Sequence, residues 1–398
     1  MLTISNKGKL MPESPIRKLV PFAEKAKQKG VKVFHLNIGQ PDIETPPAAI
    51  EAVRNSKIKV LAYSKSEGDI ELRNKICNYY SKLDIKINNS EVIVTSGASE
   101  ALLFTLGSIM DPYDEIIIPE PFYANYNGFS VANGVNIIPI FSSIDNNFKL
   151  PKIEDFENLI TEKTKGILIC NPNNPTGYVY SRDEIKTLVE IVKKHNLFLI
   201  ADEVYREFTY ENACHTSILE FSEIQENAIV IDSVSKRYSM CGARIGCIIS
   251  KNAEFISTAM KFAQARLSPP TLAQIASTAA MDVGEEYFDS VINEYNERRK
   301  TLIKGLNEIP GVKVSIPNGA FYCVVELPVK NSENFAKWLL EDFSLNNETI
   351  MVAPAAGFYS SLNMGENQVR IAYVLNQSDL KTCVNILKNG LGEYLKND

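Results

Sequence analysis

The sequence predicts an α/β protein: a mostly parallel seven-stranded sheet sandwiched by helices, with a smaller α+β domain built from both ends of the chain. Three observations carry this reading. Between residues 90 and 250, seven short runs rich in β-branched residues recur, separated by helical patterns. These runs are continuously apolar rather than alternating, as in parallel sheets covered on both faces. After residue 250 the chain turns to long helices, then to a second, shorter set of strands and helices.

At 398 residues the chain exceeds what one small core supports. The expected division is an N-terminal arm with part of the small domain over 1–45, a large domain over 46–285 and a small domain over 286–398. Residues 1–30 are polar and basic, broken by Pro12, Pro15 and Pro21, and read as an arm or first helix. A short strand over 33–39 runs into a loop rich in glycine and proline. Pro47 can open a helix over 48–55. Tyr63 lies in a polar loop, and a helix over 70–83 places Leu72 and Ile76 on one face. Strands follow at 92–95, 115–118, 135–140, 166–170, 197–201, 228–231 and 245–249. Helices separate them at about 98–109, 123–132, 152–160 and 181–195. Helices at 253–266, 271–283 and 286–308 come next, the last long enough to bridge two domains. Strands at 312–315, 321–326 and 369–372 and helices at 332–341 and 379–394 complete the chain.

A net charge of -6 argues against a nucleic-acid partner, because phosphate contacts need a basic surface. No apolar run approaches membrane-spanning length, and the first residues lack the apolar stretch of a signal peptide, so a cytoplasmic protein is expected. The seven cysteines are scattered, without a Cys-x-x-Cys or zinc pattern, and read as reduced thiols. His35, His195 and His215 have no metal-ligand neighbours at helical spacing, so neither a metal nor histidine catalysis is expected.

In parallel sheets ligands bind beyond the carboxyl ends of the strands, so the polar residues after each apolar run are the candidates. After residue 95, Gly97 lets the backbone approach closely, and the free N–H groups of Ala98 and Ser99 face an anion at a helix start. Ser96 reads equally well as a plain N-cap. Tyr123 follows the second strand, placed either to stack on a planar ligand or to pack in the core. Asn171-Pro-Asn-Asn-Pro-Thr-Gly177 is a rigid polar turn in which Asn174 can donate to a ring oxygen or a carboxylate. Asp202 ends a fully apolar run. A carboxylate buried there needs a cation, and a protonated heterocyclic nitrogen would serve. Tyr205 supplies a hydroxyl three residues on. The stretch Ser233-Val-Ser-Lys236 comes last, with Arg244 eight residues further. A lysine just past a buried strand can lose its water, which lowers its pKa and makes the amine a nucleophile towards carbonyls. The hydroxyls and arginine beside it suit a phosphate.

An anion site, a stacking ring, an amide, a buried carboxylate and a lysine are together what pyridoxal phosphate needs. In combination, Asn174 in Asn-Asn-Pro-Thr-Gly, Asp202 in Asp-Glu-Val-Tyr, Lys236 in Ser-Val-Ser-Lys and Arg370 in Val-Arg-Ile-Ala-Tyr resemble the class I/II aminotransferases. These belong to the fold-type I pyridoxal-phosphate family, and the aspartate and aromatic aminotransferase subgroup is the most similar. The intervals of 28, 34 and 134 residues are similar too, and the resemblance runs from about Leu36 to Tyr394. It implies that Lys236 bonds the cofactor and moves the proton, that Asp202 pairs with the pyridine nitrogen, and that Asn174 and Tyr205 bond the ring's phenolic oxygen. Tyr123 would stack on the ring. Ala98, Ser99, Ser233 and Arg244 would hold the phosphate. Tyr63 matches a tyrosine that reaches the phosphate of a neighbouring subunit, which implies a homodimer. Arg370 would grip the substrate α-carboxylate as a planar fork, assisted by Asn174 and the Gly39 backbone.

Two departures leave the substrate open: Ala243 stands where many relatives have tryptophan, and the segment 352–358 lacks the usual glycine after its proline. The expected activity is transfer of an amino group from an L-amino acid, aspartate first, to 2-oxoglutarate by a ping-pong route. By position only, Arg17, Lys65 and Arg266 are candidate cations for a second substrate carboxylate, with solvated surface charge the plainer reading of each. A carbon–sulfur β-lyase or another eliminase on the same scaffold is the alternative. A cofactor-binding sensor module is the remote one.

Overall fold

The structure is a computed structural model that describes residues 2–397. Its centre is a seven-stranded sheet of Val92–Thr95, Gly246–Ile249, Ala228–Ser233, Phe198–Asp202, Thr164–Cys170, Glu115–Glu120 and Asn136–Phe141, in that spatial order. Residues alternate between two cores along each strand. Leu168, Ile200 and Ile231 enter the core on one face, and Ile167, Leu199 and Val230 the core on the other. Burial on both faces explains why the runs are uninterruptedly apolar.

One strand departs from the parallel pattern. Gly246–Ile249 runs antiparallel to both its neighbours. The link between Ser233 and Gly246 holds only the single turn Val234–Arg237 and the short turn Cys241–Ala243, and no helix that would carry the chain across the sheet face for a parallel return. It pairs Gly246 with Ser233 on one side and with Thr95 on the other. That return carries Arg244 to the start of the helix Ala98–Ile109.

The carboxyl ends of the parallel strands are in register, with Cys170 opposite Asp202 and Asp202 opposite Ile231. The polar residues that follow these strands therefore meet at one edge, although long stretches of sequence separate them.

The expected strand over 33–39 is Lys32–His35, and it pairs in parallel with Glu348–Met351, a strand without a sequence expectation. The expected helix over 152–160 is only the single turn Ile153–Glu157. A four-stranded antiparallel sheet of Ala353–Pro354, Gln368–Ala372, Tyr322–Glu326 and Lys313–Val314 holds Arg370 on its second strand. The long helix Glu285–Asn307 packs on the last helix, Gln377–Asn397. No described helix is long and apolar enough to cross a membrane.

Candidate active site

One cavity of about 560 Å³ opens at the carboxyl edge of the large sheet. Eleven of the residues expected to hold the cofactor or the α-carboxylate line it: Gly39, Ala98, Ser99, Tyr123, Asn174, Asp202, Tyr205, Ser233, Lys236, Arg244 and Arg370. Tyr63 does not. It lies on the surface, 81% exposed.

Lys236 sits in the one-turn helix Val234–Arg237, directly after the strand Ala228–Ser233. The turn is clamped across its ends, because Arg237 Nη2 donates to both carboxylate oxygens of Asp232, at 2.9 and 2.7 Å. Tyr80 adds a bond to Asp232 at 3.1 Å. Ser233 caps the turn at the Ser235 N–H, and its hydroxyl also donates to the Ile245 carbonyl at 2.8 Å. Ser233 thus carries a local structural role that the phosphate expectation did not include. The Lys236 amine is only part-buried rather than stripped of water. It donates to the Gly39 carbonyl at 2.8 Å and lies 3.6 Å from the Cys241 sulfur.

Gly39 must be glycine here. A Cβ at that position would stand 1.7 Å from the Tyr322 hydroxyl.

Asp202 is 4% exposed and makes no ion pair among the described residues. Tyr126 donates to it at 2.8 Å, and the Val204 N–H lies at 3.4 Å. Burial pushes its carboxyl up to about 6, and the Tyr126 bond opposes that rise. Without a cation, the ionised form is held back by burial. Between the ordinary carboxylate value and about 6 the folded chain binds a proton that the unfolded chain does not, so this group costs stability as pH rises through that window. Tyr126→Phe removes a hydrogen bond to a charged acceptor. We expect the Asp202 carboxyl to rise by roughly one to two further pH units. A carbon-13 titration of labelled aspartate checks this, and an unmoved or lowered value contradicts it.

Arg370 is 1% exposed. Its guanidinium donates to Asn174 Oδ1 at 3.0 Å and to the Asn37 carbonyl, and it lies over the rings of Tyr322 and Phe358 at 4.4 and 4.9 Å. Its Nε has no partner, and among the described residues no carboxylate pairs with it. A buried guanidinium without a counter-charge is costly, so the site is short of an anion. Asn174 links two parts of the cavity, because its Nδ2 also lies 3.5 Å from the Tyr205 hydroxyl. That hydroxyl in turn meets Tyr322 at 2.9 Å.

Next to the cavity-lining Ala98, Gly97 is the N-cap of the helix Ala98–Ile109, with φ 80° and ψ 171°, a region essentially closed to other residues. A Cβ there would stand 2.4 Å from the Arg244 guanidinium. The cap reading of Ser96 is therefore corrected: Gly97 holds that position, and the Ser96 N–H goes instead to Glu100 at 2.8 Å. The helix N-terminus and Arg244 converge on one spot and make an anion cradle.

Arg17 lines the cavity, but Lys65 and Arg266 do not. Arg266 is pinned by Glu100 at 2.6 Å and by two backbone carbonyls. Neither a substrate contact nor a solvated surface charge describes it. Sequence reasoning missed Tyr126 and Tyr322. The spacing of Tyr126, three after Tyr123 at a helix start, was a usable signal. Tyr322 had none, because its contacts come from strand pairing across the chain.

This cavity holds one buried carboxylate, a lysine at a strand end, an anion cradle and a second, buried anion hole. Such a set suits a phosphorylated, nitrogen-bearing aldehyde cofactor and a carboxylate substrate. Residues 31–387 match the family described as "Aminotransferase class I and II", and the chain belongs to that family. It is 32% identical over 98% of its length to an aspartate aminotransferase of Pyrococcus horikoshii, covering 97% of that protein. It is 34% identical over 94% of its length to a (5-formylfuran-3-yl)methyl phosphate transaminase of Methanocaldococcus jannaschii, covering 96% of it. The crystal structure of an aspartate aminotransferase from Thermotoga maritima superimposes with a TM-score of 0.89 at 30% identity, covering 98% of this chain and all of that one. The protein is an enzyme of the aminotransferase type, and its family works with pyridoxal phosphate.

Proposed function

We propose that this enzyme binds pyridoxal phosphate through Lys236 and moves the amino group of an L-amino acid to a 2-oxo acid by a ping-pong route. Aspartate is the first donor to test and 2-oxoglutarate the first acceptor. The unpaired, buried Arg370 in the same cavity as Lys236 carries the reading, because it calls for a carboxylate within reach of a reactive amine.

The residues present fit the cofactor. The cradle at Gly97 and Arg244 suits a phosphate, and Asp202 is a buried carboxylate with no ion pair among the described residues. The N–H groups of Ala98 and Ser99 and the Arg244 guanidinium would hold the phosphate, with Ser233 beside them. Asp202 would keep a proton on the ring nitrogen, held in line by Tyr126. Tyr205 and Asn174 would bond the ring's phenolic oxygen, and Tyr123 would face the ring. When bound, the cofactor supplies an electron sink that weakens the Cα–H bond of an amino acid. The Lys236 Nζ would take that proton and return it, and the Gly39 carbonyl orients the amine for this. Arg370 would fix the α-carboxylate with a planar fork. Aspartate as donor is supported by the names of two relatives.

A homodimer with Tyr63 serving the neighbouring site is supported by the apolar surface around it. Val60 and Leu61 are 76% and 64% exposed in the same loop, and Leu267, bonded to that loop through its carbonyl, is 51% exposed.

The reading is tested by recording the visible spectrum of the cofactor-loaded protein against a panel of amino acids, with and without 2-oxoglutarate. We expect aspartate to shift the band to the amino form of the cofactor and 2-oxoglutarate to shift it back. Release of pyruvate and ammonia with the band retained, and with no 2-oxo acid required, would instead make it a lyase.

A further inference from the structure

Four basic side chains line the cavity, Arg17, Lys236, Arg244 and Arg370, against one acidic side chain, Asp202. The chain as a whole carries a net charge of -6, so this local excess is a property of the site. The proposed function uses three of the four: Lys236 for the cofactor, Arg244 for its phosphate and Arg370 for the α-carboxylate. Arg17 is left over. Among the described residues it makes no ion pair.

Arg17 is exposed, yet its backbone is fixed relative to Arg370. Asn37, fully buried, accepts from Arg370 with its backbone carbonyl and donates with its side chain to the Ile16 carbonyl at 2.7 Å. The Arg17 N–H closes a turn onto the Ser14 carbonyl at 3.1 Å. One asparagine thus ties the deep arginine to the residue that precedes the outer one. The Tyr123 phenol feels both charges, since Arg370 and Arg17 each oppose its upward shift. Ser14, Gln40 and Asn125 complete a neutral polar wall on the same cavity.

Resting on the amino-transfer reading, we propose that Arg17 is the specificity-determining residue that binds the second carboxylate of dicarboxylic substrates. An amino acid enters with its α-carboxylate on buried Arg370 and leaves its side chain towards exposed Arg17. A four-carbon or five-carbon dicarboxylate then places an anion at each arginine. Because Arg17 stands on a flexible, solvated stem, it can move aside for a neutral side chain. The enzyme therefore prefers dicarboxylates without excluding small neutral donors.

The test is the half-reaction of cofactor-loaded protein, followed by absorbance, with aspartate, glutamate, alanine and O-phosphoserine as donors and 2-oxoglutarate and pyruvate as acceptors. Wild-type, Arg17→Met and Arg17→Lys proteins are compared. Loss of one charge-assisted contact predicts a fall of about 10- to 100-fold in kcat/KM for aspartate and 2-oxoglutarate in Arg17→Met. Alanine and pyruvate should fall at least tenfold less, and Arg17→Lys should recover most of the difference. Equal losses for all donors, or none, overturn the assignment of Arg17 while amino transfer stands. A wild-type preference for O-phosphoserine over both dicarboxylates overturns the dicarboxylate assignment. No half-reaction of wild type with any donor overturns amino transfer and this subsite together.

Discussion

Replacing Lys236 by alanine is expected to lower turnover by roughly 10⁴-fold, the upper range for loss of a positioned proton-transfer group. The visible band of lysine-bound cofactor should disappear at the same time. The fold should survive, because among the described residues the Lys236 amine bonds the Gly39 carbonyl and makes one long contact to the Cys241 sulfur, at a part-buried position. A single such bond contributes about 1 kcal/mol. The turn that carries it is held by Arg237, Asp232 and Ser233, which the substitution leaves in place. Circular dichroism and a melting curve separate the two effects. An alanine variant that keeps the band, or keeps turnover, removes Lys236 from the chemistry.

Arg370→Lys is the second large effect. The substitution keeps the charge but loses the fork. The arginine spends one terminal nitrogen on Asn174 and the other on the Asn37 carbonyl, and the planar group between them is stacked on Tyr322 and Phe358. An ammonium cannot keep both tethers and still present two parallel donors to a carboxylate. Truncating one side of a buried, hydrogen-bonded charge pair costs about 2–5 kcal/mol. We therefore expect kcat/KM for every amino acid to fall roughly 30- to 3,000-fold. The loss should be the same for aspartate and alanine, because both carry the α-carboxylate. Cofactor binding should be retained, since Arg370 bonds Asn174 and Asn37 and not the cradle residues Gly97 and Arg244. A loss confined to dicarboxylates would reverse the roles of Arg370 and Arg17. The two arginines thus make opposite predictions on one panel of substrates: uniform loss at Arg370 and selective loss at Arg17.

These effects depend on a site assembled from distant pieces. Asn174, Asp202 and Lys236 stand close because three parallel strands end in register, with Cys170, Asp202 and Ile231 side by side. The antiparallel return of Gly246–Ile249 then brings Arg244 to the helix start at Gly97. Arg370 arrives from the smaller sheet, and the Asn37 carbonyl that holds it follows a strand paired with Glu348–Met351. The reactive end of the chain's chemistry is thus shared between two sheets.

Local sequence by itself determined the large sheet and most of the site. Strands buried on both faces must be apolar at every position, so seven such runs stand out, and a polar residue closing one of them has few structural reasons to be there. Asp202 was legible for that cause, Lys236 because it stands in Ser233-Val-Ser-Lys236 just past such a run, and the helix at Ala98 because Gly97 is required where the backbone turns into it. Tertiary structure alone decided the rest. The direction of Gly246–Ile249 is set by its pairing with Val92–Thr95 on one side and Ala228–Ser233 on the other, and the strand Glu348–Met351 exists only because Lys32–His35 lies beside it. Tyr322 becomes part of the site through strand pairing and through the space that Gly39 leaves for its hydroxyl. Arg17, Lys65 and Arg266 look alike as letters. Their roles diverge because Glu100 neutralises Arg266, Lys65 lies outside the cavity, and no carboxylate among the described residues pairs with Arg17. A residue's type and its place on a strand are local properties, but whether a charge is already paired depends on what the fold sets across from it.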